Sequence, residues 1–270
     1  MQIEDFKDIT YEKDNAGIVT VTFNTPRRKN ALSGVTFVEI RWAAEHFEND
    51  DSAHALIFTG APDTDSPVEK QAYSSGGYFS PDAFEGVPEE VLNQMDPKDV
   101  AQKKTTLQLF QCDKPIIAAV NGLAIGGAAT LTLACADQVY LSEHAWFDFP
   151  FARLGISAEL GSTFFLSRLL GFQKAKDLLF FPERIPAQKA VEMGLANQVV
   201  KHEDLLDFAK QQALRLIPPK GASRSIRRMK RALNQPHVEA LSQALDLENE
   251  ALQELFRSED FAEGISARIE

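Results

Sequence analysis

The hydrophobic pattern of the first sixty residues predicts two strands with a helix between them. Residues 18–23, IVTVTF, are β-branched and alternate in polarity, and residues 55–60, ALIFTG, form a short apolar run that ends in glycine. Both patterns are typical of strands. Between them, apolar residues recur at three- and four-residue steps, at Phe37, Ile40, Ala44 and Phe47. Ser33 precedes them as a suitable N-cap, so a helix is predicted to begin there.

The middle of the chain repeats this order of elements. Residues 114–122, KPIIAAVNG, predict a buried strand that enters a turn, followed by a small-residue helix in GGAATLTLACA and a strand in QVYL. Repeated strand–helix–strand order indicates an α/β fold. Residues 62–95 are rich in Pro, Asp, Ser and Gly. They predict a long irregular loop that carries a site.

The last third of the chain is predicted to be mainly helical. AQKAVEMGLANQVV predicts a helix that ends at Gly194 and is followed by a strand-like segment. Three further helices are predicted, over residues 204–216, 222–233 and 238–256. We therefore divide the chain into a core of residues 1–200 and a helical C-terminal region of residues 201–270.

Charge narrows the classes of ligand. The chain has 270 residues, of which 44% are hydrophobic, and this is enough for one large core. It contains 28 Lys and Arg residues and 39 Asp and Glu residues, which gives a net charge of −11. This argues against nucleic acid or an anionic membrane as partner, so an anionic ligand needs a local basic patch. A basic cluster at residues 224–231 is expected on an exposed helix face. Its helix has an apolar stripe of Ile226, Met229 and Leu233.

Cysteine spacing and the chain ends give no sign of a metal, a disulfide or a targeting signal. Cys112 and Cys135 have no CxxC or histidine companions. No window resembles a signal peptide or a membrane span, and the final residues ARIE are not a peroxisomal address. We therefore expect a cytoplasmic protein without a metal site.

Two glycine turns are candidates for ligand binding. SSGGYF places Gly76 and Gly77 in a loop after a strand, and NGLAIGGAAT places Gly126 and Gly127 where a turn enters a helix. Glycine allows close backbone approach, and a helix N-terminus offers unpaired N–H groups. Two such donors on one oxygen would form an oxyanion hole. Each pair alone is more often an ordinary tight turn or a site of close helix packing.

Glu159 lies in LGISAELGST, among small and apolar residues. A carboxylate in such surroundings costs free energy unless it is paired, protonated or used in chemistry. One interpretation is a helix-start glutamate that interacts with the N–H groups of the next turn. The other is a group that carries a proton.

Taken together, the order of motifs resembles the crotonase, or enoyl-CoA hydratase/isomerase, superfamily. The matching segments cover nearly the whole chain: PRRKNALS, SSGGYF, KPIIAAVNGLAIGGAATLTLACADQVYLSEHAWF, LGISAELGSTFFLSRLLG, IPAQKAVEMGLANQVV and RSEDFAEGI. The resemblance implies an α/β, ClpP-like spiral of ββα units with a helical C-terminal trimerisation region. It further implies a homotrimer or dimer of trimers, an acyl-CoA thioester substrate from fatty acid metabolism, and no cofactor apart from the coenzyme A of the substrate.

The resemblance also implies roles for individual residues. The backbone N–H groups of Gly77 and Gly127 would hold the thioester oxygen. Arg28 and Lys29 would lie beside the phosphates of CoA and Ala31 near its adenine. The full set of predicted substrate contacts is Arg28, Lys29, Ala31, Leu32, Ser75, Tyr78, Phe79, Leu123, Gly126 and Phe151.

The identity of the carboxylates bears on the reaction. Hydratases of this family use two glutamates, and their positions here are Thr130 and Phe151, neither of which can serve as acid or base near neutral pH. PFARLGISAELGS instead resembles the segment that holds the single catalytic glutamate of peroxisomal-type Δ3,Δ2-enoyl-CoA isomerases. This resemblance implies that Glu159 is the proton shuttle. Leu160 replaces the usual glycine after it.

Other functions remain open at this point. Glu159 occupies the position of the nucleophilic aspartate in aryl-CoA dehalogenases of the superfamily, so a dehalogenase- or thioesterase-like reaction is one alternative. A hydratase-like enzyme is a second alternative. A third is a CoA-binding protein without catalytic activity, in agreement with the two missing glutamates.

Overall fold

Two β-sheets form the frame of this computed structural model, which describes residues 3–78 and 80–269. The strands in that part of the chain are β1 Ile9–Lys13, β2 Ile18–Phe23, β3 Ala55–Gly60, β4 Ala72–Ser74, β5 Ile116–Val120, β6 Leu123–Ile125, β7 Gln138–Ser142, β8 Trp146–Asp148, β9 Ile185–Pro186 and β10 Gln198–Val200. The larger sheet has the order β1-β2-β3-β5-β7-β10 and the smaller one the order β4-β6-β8-β9. The paired strands described are parallel except for β1 with β2 and β8 with β9.

Helices cover these sheets and make up the C-terminal third. Those described are α1 Gly34–Asn49, α2 Glu89–Leu92, α3 Lys103–Gln111, α4 Gly127–Cys135, α5 Ser162–Leu170, α6 Phe172–Phe180, α7 Ala187–Met193, α8 Leu205–Leu216, α9 Ser223–Asn234, α10 Val238–Leu255 and α11 Glu259–Ile269. Mixed strands and helices around parallel sheets confirm the α/β prediction. No helix in residues 3–78 and 80–269 is long and apolar enough to cross a bilayer.

The central strands are buried on both faces, which explains their uninterrupted apolar sequences. Along β3, Leu56 and Phe58 pack into the core beneath α1 and α4, whereas Ala55 and Ile57 face α8. Successive side chains of a strand point to opposite faces, so a two-faced core requires apolar residues at every position.

The predicted helix after β2 is confirmed, together with its cap. The Ser33 hydroxyl accepts a hydrogen bond from the Thr36 N–H, and the Thr36 hydroxyl accepts one from the Ser33 N–H. Both hydroxyls also donate to the Asp8 carboxylate, at 2.6 and 2.5 Å. Because Asp8 is nearly buried, these bonds tie the segment before β1 to the start of α1.

The segment over residues 62–95 is more ordered than the predicted loop. It contains β4, the short α2 and turns of 3-10 helix. β4 pairs in parallel with β6, with Ala72 opposite Leu123 and Ser74 opposite Ala124. Parallel strands end at the same edge of a sheet, so this pairing brings together the two glycine turns that follow them.

The exposed position predicted for the basic cluster is wrong for Lys230. This residue is 6% exposed, whereas Met229 and Leu233 of the apolar stripe are 55% and 70% exposed. The Lys230 ammonium donates to the Lys114 carbonyl and to the Asp137 carboxylate. These charge-assisted bonds, which the apolar periodicity could not reveal, attach α9 to the core.

Candidate active site

The two glycine turns touch each other. Gly76 has φ +84° and Gly126 has φ +52°, backbone conformations that glycine adopts without strain. A side chain on Gly76 would lie 2.4 Å from the Ile125 carbonyl oxygen and 3.7 Å from the Gly127 nitrogen. Position 76 therefore requires a glycine, because the two turns lie in contact there.

Each turn provides one backbone donor. Gly77 forms a parallel bridge with Leu32, in which the Leu32 N–H donates to the Gly76 carbonyl and the Tyr78 N–H donates to the Leu32 carbonyl. The Gly77 amide consequently points away from this pairing. Gly127 is the first residue of α4, where an N–H has no acceptor within the helix. Both glycines line one cavity, so the predicted oxyanion residues are brought together.

Glu159 lines the same cavity, next to Gly127. Its Oε1 lies 2.9 Å from the place that a side-chain carbon on Gly127 would occupy. No described group donates a hydrogen bond to its carboxylate. Burial, and secondarily the charge of Glu248, raise the pKa of Glu159 from 4.5 to about 8. A carboxyl group of this kind is a stronger base than an exposed one.

Leu160 adopts a conformation that explains why a glycine is usual after the glutamate. Its φ is +52°, in the left-handed region, which costs a residue with a side chain about 1 kcal/mol. Its side chain is fully buried, with Cδ1 3.6 Å from the position of a Cβ on Gly127. The apolar burial offsets the strain, and the substitution adds a hydrophobic wall beside Glu159.

The cavity has a volume of about 510 Å³ and extends from the glycine turns along α1. Its apolar walls include Leu32, Phe37, Val38, Phe84, Met95 and Val100. Several of these lie in the segment predicted to be a site-bearing loop, but the sequence pattern did not single them out. Size and lining are those of a pocket for a mostly apolar ligand.

The carboxylates of Asp96 and Asp99 also line the cavity, and each is bound by neighbouring groups. Asp96 pairs with Lys104 at 2.8 Å. Asp99 accepts from the backbone N–H groups of Lys103 and Lys104 and so caps α3. Glu159 differs from both because no described donor binds it.

The predicted substrate contacts fall into two groups. Leu32 and Tyr78 line the cavity, as do Gly77, Gly127 and Glu159. The residues outside its lining are Arg28, Lys29, Ala31, Ser75, Leu123, Gly126 and Phe151. Phe79 lies outside the described residues.

Several residues of the second group are close to its rim. The Arg28 guanidinium bonds to Asp8 at 2.6 Å and lies 4.5 Å from the centre of the Tyr78 ring. Lys29 is exposed next to it, and the Ser75 N–H donates to the Lys29 carbonyl. The segment predicted to bind CoA therefore adjoins the first glycine turn, which contains Gly76 and Gly77.

The two positions that carry glutamates in hydratases are filled by groups with structural contacts. The buried Thr130 hydroxyl donates to the carbonyls of Gly126 and Gly127, at 3.2 Å each. Phe151 is 3% exposed, and its Cε1 lies 3.9 Å from the position of a Cβ on Gly126. Both side chains therefore adjoin the second glycine turn. In residues 3–78 and 80–269, no group of three or more His, Cys, Asp or Glu side chains could hold a metal ion.

Comparison with known proteins agrees with this geometry. The family described as Enoyl-CoA hydratase/isomerase matches residues 13–270. The chain is 31% identical over 268 residues to the short-chain-enoyl-CoA hydratase of Clostridium acetobutylicum, covering 98% of this chain and 96% of that protein. It is 28% identical over 265 residues to the 1,2-epoxyphenylacetyl-CoA isomerase of Escherichia coli, covering 93% and 91%.

Comparison with solved structures points to the same family. The crystal structure of an enoyl-CoA hydratase from Mycobacterium avium subsp. paratuberculosis matches with a TM-score of 0.80 at 25% identity, covering 96% of this chain and 98% of that one. Paired glycine turns on this fold define a crotonase-type acyl-CoA enzyme. The chain belongs to the enoyl-CoA hydratase/isomerase family.

Proposed function

We propose that the protein is an isomerase that shifts the double bond of a 3-enoyl-CoA to the trans-2 position. The observation that carries this proposal is the arrangement of Glu159, a carboxylate without described donors beside the two oxyanion glycines. The segment PFARLGISAELGS, with its resemblance to peroxisomal-type isomerases, supports the same reaction.

The chemistry requires only one base. Glu159 removes a proton from C2 of the thioester, and the electrons move through C2–C3–C4 into a dienolate. The negative charge on the thioester oxygen is held by the N–H groups of Gly77 and Gly127. The protonated Glu159 then returns the proton to C4, and the double bond settles between C2 and C3. Apolar walls such as Leu160 limit competing water.

The substrate supplies the only coenzyme in this proposal. The CoA phosphates bind at Arg28 and Lys29, and Ala31 lies near the adenine, while the pantetheine arm passes Leu32 and Tyr78 to the glycine turns. A local basic segment on a chain of net charge −11 suits a polyanionic group. No resident metal or redox cofactor takes part.

Hydration is the second candidate, because relatives such as the Clostridium acetobutylicum protein are named hydratases. Against it, Thr130 and Phe151 cannot donate or accept the protons that hydration requires. The relative from Escherichia coli is named as an isomerase of an acyl-CoA.

The deciding experiment supplies a 3-enoyl-CoA and a 2-enoyl-CoA separately and follows the absorbance of the conjugated thioester. We expect absorbance to rise with the first and to remain constant with the second. Glu159→Gln is expected to lower the turnover of the first about 10²- to 10⁴-fold with little change in acyl-CoA affinity, because the amide cannot accept the proton.

Thr130→Val is the matched control, since it keeps the side-chain shape but removes the hydroxyl at the hydratase position. It is expected to retain most of the turnover. Loss of absorbance from the 2-enoyl-CoA would support hydration. Release of halide from a halogenated aryl-CoA would support a dehalogenase. Binding of acyl-CoA without turnover of any of these substrates would support a binding protein.

Trimers, or dimers of trimers, are the proposed assembly. The C-terminal helices expose large apolar side chains, among them Met229 and Leu233 on α9 and Leu247 on α10. Such surfaces are usual at interfaces between subunits. A monomer in sedimentation at micromolar concentration would contradict this assembly.

A further inference from the structure

Glu248 connects the C-terminal region to the segment that carries Glu159. It lies in α10 with 2% of its surface exposed. Its Oε2 accepts a hydrogen bond from the Gly161 N–H at 2.8 Å. Its Oε1 accepts from the Thr163 N–H at 3.0 Å and from the Thr163 hydroxyl at 2.6 Å. Three donors within a few residues of Glu159 therefore converge on one buried carboxylate.

Asn249, the next residue of α10, is linked through Ala101 to the turn that contains Glu159 and Leu160. The Asn249 side-chain oxygen accepts from the Ala101 N–H at 2.7 Å, and the Ala101 carbonyl accepts from the Leu160 N–H at 3.2 Å. Leu160 has an unfavourable φ, and such strain persists only where surrounding contacts fix the backbone. Glu248 and Asn249 provide these contacts.

Glu248 and Glu159 differ in the number of hydrogen-bond donors around their carboxylates. Glu248 has three donors, whereas Glu159 has none among the described residues. Burial raises the pKa of Glu248, but its hydrogen bonds oppose that rise. When two buried carboxyls interact, the charge settles on the one with more donors and the proton on the other. Glu248 is thus the one that carries the charge.

The charged groups at the start of α3 are already engaged. Lys103 pairs with Asp246 of α10, and Lys104 pairs with Asp96. Asp99 accepts backbone N–H groups at the start of α3. On the side of α4, residues Gly127–Cys135 include no Asp, Glu, Lys, Arg or His, and the pKa of the buried Cys135 thiol lies far above neutrality. Glu248 is the charge that acts on Glu159.

We propose that Glu248 is a positioning residue for catalysis, which fixes the turn that carries Glu159 and adds a second buried carboxylate beside that turn. This inference rests on the proposed function of Glu159 as proton shuttle. Its consequence is that a helix of the C-terminal region, distant in sequence, sets both the place and the basicity of the reacting carboxylate.

The test compares three variants for turnover, pH profile and affinity for a saturated acyl-CoA. Glu248→Gln removes the charge at nearly constant shape, and Glu248→Asp keeps the charge but shortens its reach. Glu250→Gln removes the same charge from an exposed position of the same helix and is the matched control. An infrared titration of the carboxyl band that Glu159→Gln abolishes reports the protonation of Glu159 without any need for activity.

For Glu248→Gln we expect kcat to fall about 10- to 100-fold at constant acyl-CoA affinity, because a misplaced base reacts slowly. The acid limb of the pH profile and the infrared midpoint are both expected to move to lower pH, since a like charge has been removed. Glu248→Asp is expected to lower kcat without that movement. Glu250→Gln should stay within about twofold of the unaltered protein in every measurement.

The inference is overturned if Glu248→Gln keeps its kcat and its acid limb. It is also overturned if affinity falls in proportion to kcat, since that indicates general loss of structure. If Glu248→Gln does not fold, Glu248→Asp decides by the same comparison of kcat with affinity. If the unaltered protein does not isomerise at all, the proposed function fails, and the infrared midpoint still decides whether Glu248 controls the protonation of Glu159.

Discussion

Glu159 predicts an unusual pH dependence of the reaction. With a pKa raised to about 8, it is mostly protonated near neutral pH and becomes a base as the pH rises. We therefore expect kcat/KM for a 3-enoyl-CoA to increase about tenfold per pH unit well below pH 8 and to level off above it. Rate measurements at low substrate concentration over this range test it. A profile that is flat across neutrality would contradict a proton shuttle at this position.

The same shift predicts a cost in stability. Because the pKa is higher in the folded chain than its ordinary value of 4.5, folding retains a proton. This group's contribution is therefore fully favourable below about pH 4.5 and is lost as the pH rises toward 8. Glu159→Gln carries no such dependence. As the pH rises from acid to mildly alkaline values, the free energy of unfolding of Glu159→Gln should increase relative to that of the unaltered protein by about 1 to 3 kcal/mol.

Denaturant unfolding of both proteins at two pH values measures this difference. The control is Glu250→Gln, which removes an exposed carboxylate from α10. An equal difference between Glu159→Gln and the unaltered protein at both pH values would show that Glu159 is not perturbed by burial.

Individual residues differ in how far the sequence revealed them. The sequence pointed to Glu159, Gly77 and Gly127, because a carboxylate among apolar residues and paired glycines are local signals. The structure brings these three together. Glu248 was not found, since it lies 87 residues from Gly161 and is an ordinary position in the sequence of its helix. The strain at Leu160 was equally invisible, because a conformation is set by contacts rather than by residue type.

Among the elements, long periodic segments were predicted well and short ones were not. The strands β2 and β3 and the helices α1, α8, α9 and α10 lie within a residue or two of their predicted bounds. The three-residue strands β4, β6 and β8 were missed, because three residues carry no recognisable period. They are held by pairing with one another, and that pairing builds the site. The helices α3, α5, α6 and α11 were also not predicted.

The turn before α1 predicts a difference between its two cationic residues. Lys29 is exposed, whereas Arg28 is bonded to Asp8 and packs on Tyr78. Lys29→Ala should weaken CoA binding by about 1 kcal/mol, roughly fivefold, and leave folding unchanged. Arg28→Ala should weaken CoA binding and also lower the melting temperature, because it leaves Asp8 without its charged partner.

Calorimetric titration with CoA and with a pantetheine ester, which lacks the nucleotide phosphates, checks this assignment. Both variants should bind the pantetheine ester as the unaltered protein does. An equal loss for the two ligands would place the phosphates elsewhere.

For the molecule as a whole, the walls of the cavity join distant parts of the chain. Its lining includes α1, the segment after the first glycine turn, the start of α3 and Phe256 beyond α10. Such a surface is created by tertiary packing, so the sequence could predict an acyl-CoA ligand only through resemblance. The compartment and the division at residue 200 remain predictions.

The cavity predicts a preference for acyl chains longer than four carbons. Its 510 Å³ extends along α1 past Phe37 and Val38 toward Arg41, well beyond the glycine turns that are proposed to hold the thioester. Each methylene buried there adds about 0.8 kcal/mol, so octanoyl-CoA should bind about 10- to 200-fold more tightly than butanoyl-CoA. Calorimetric titration with saturated acyl-CoAs measures this without dependence on the reaction. Val38→Phe should abolish the tighter binding of octanoyl-CoA and leave the affinity for butanoyl-CoA unchanged. Val38→Ala should keep the tighter binding of octanoyl-CoA. Equal affinity for both chain lengths in the unaltered protein would mean that the acyl group does not occupy this cavity.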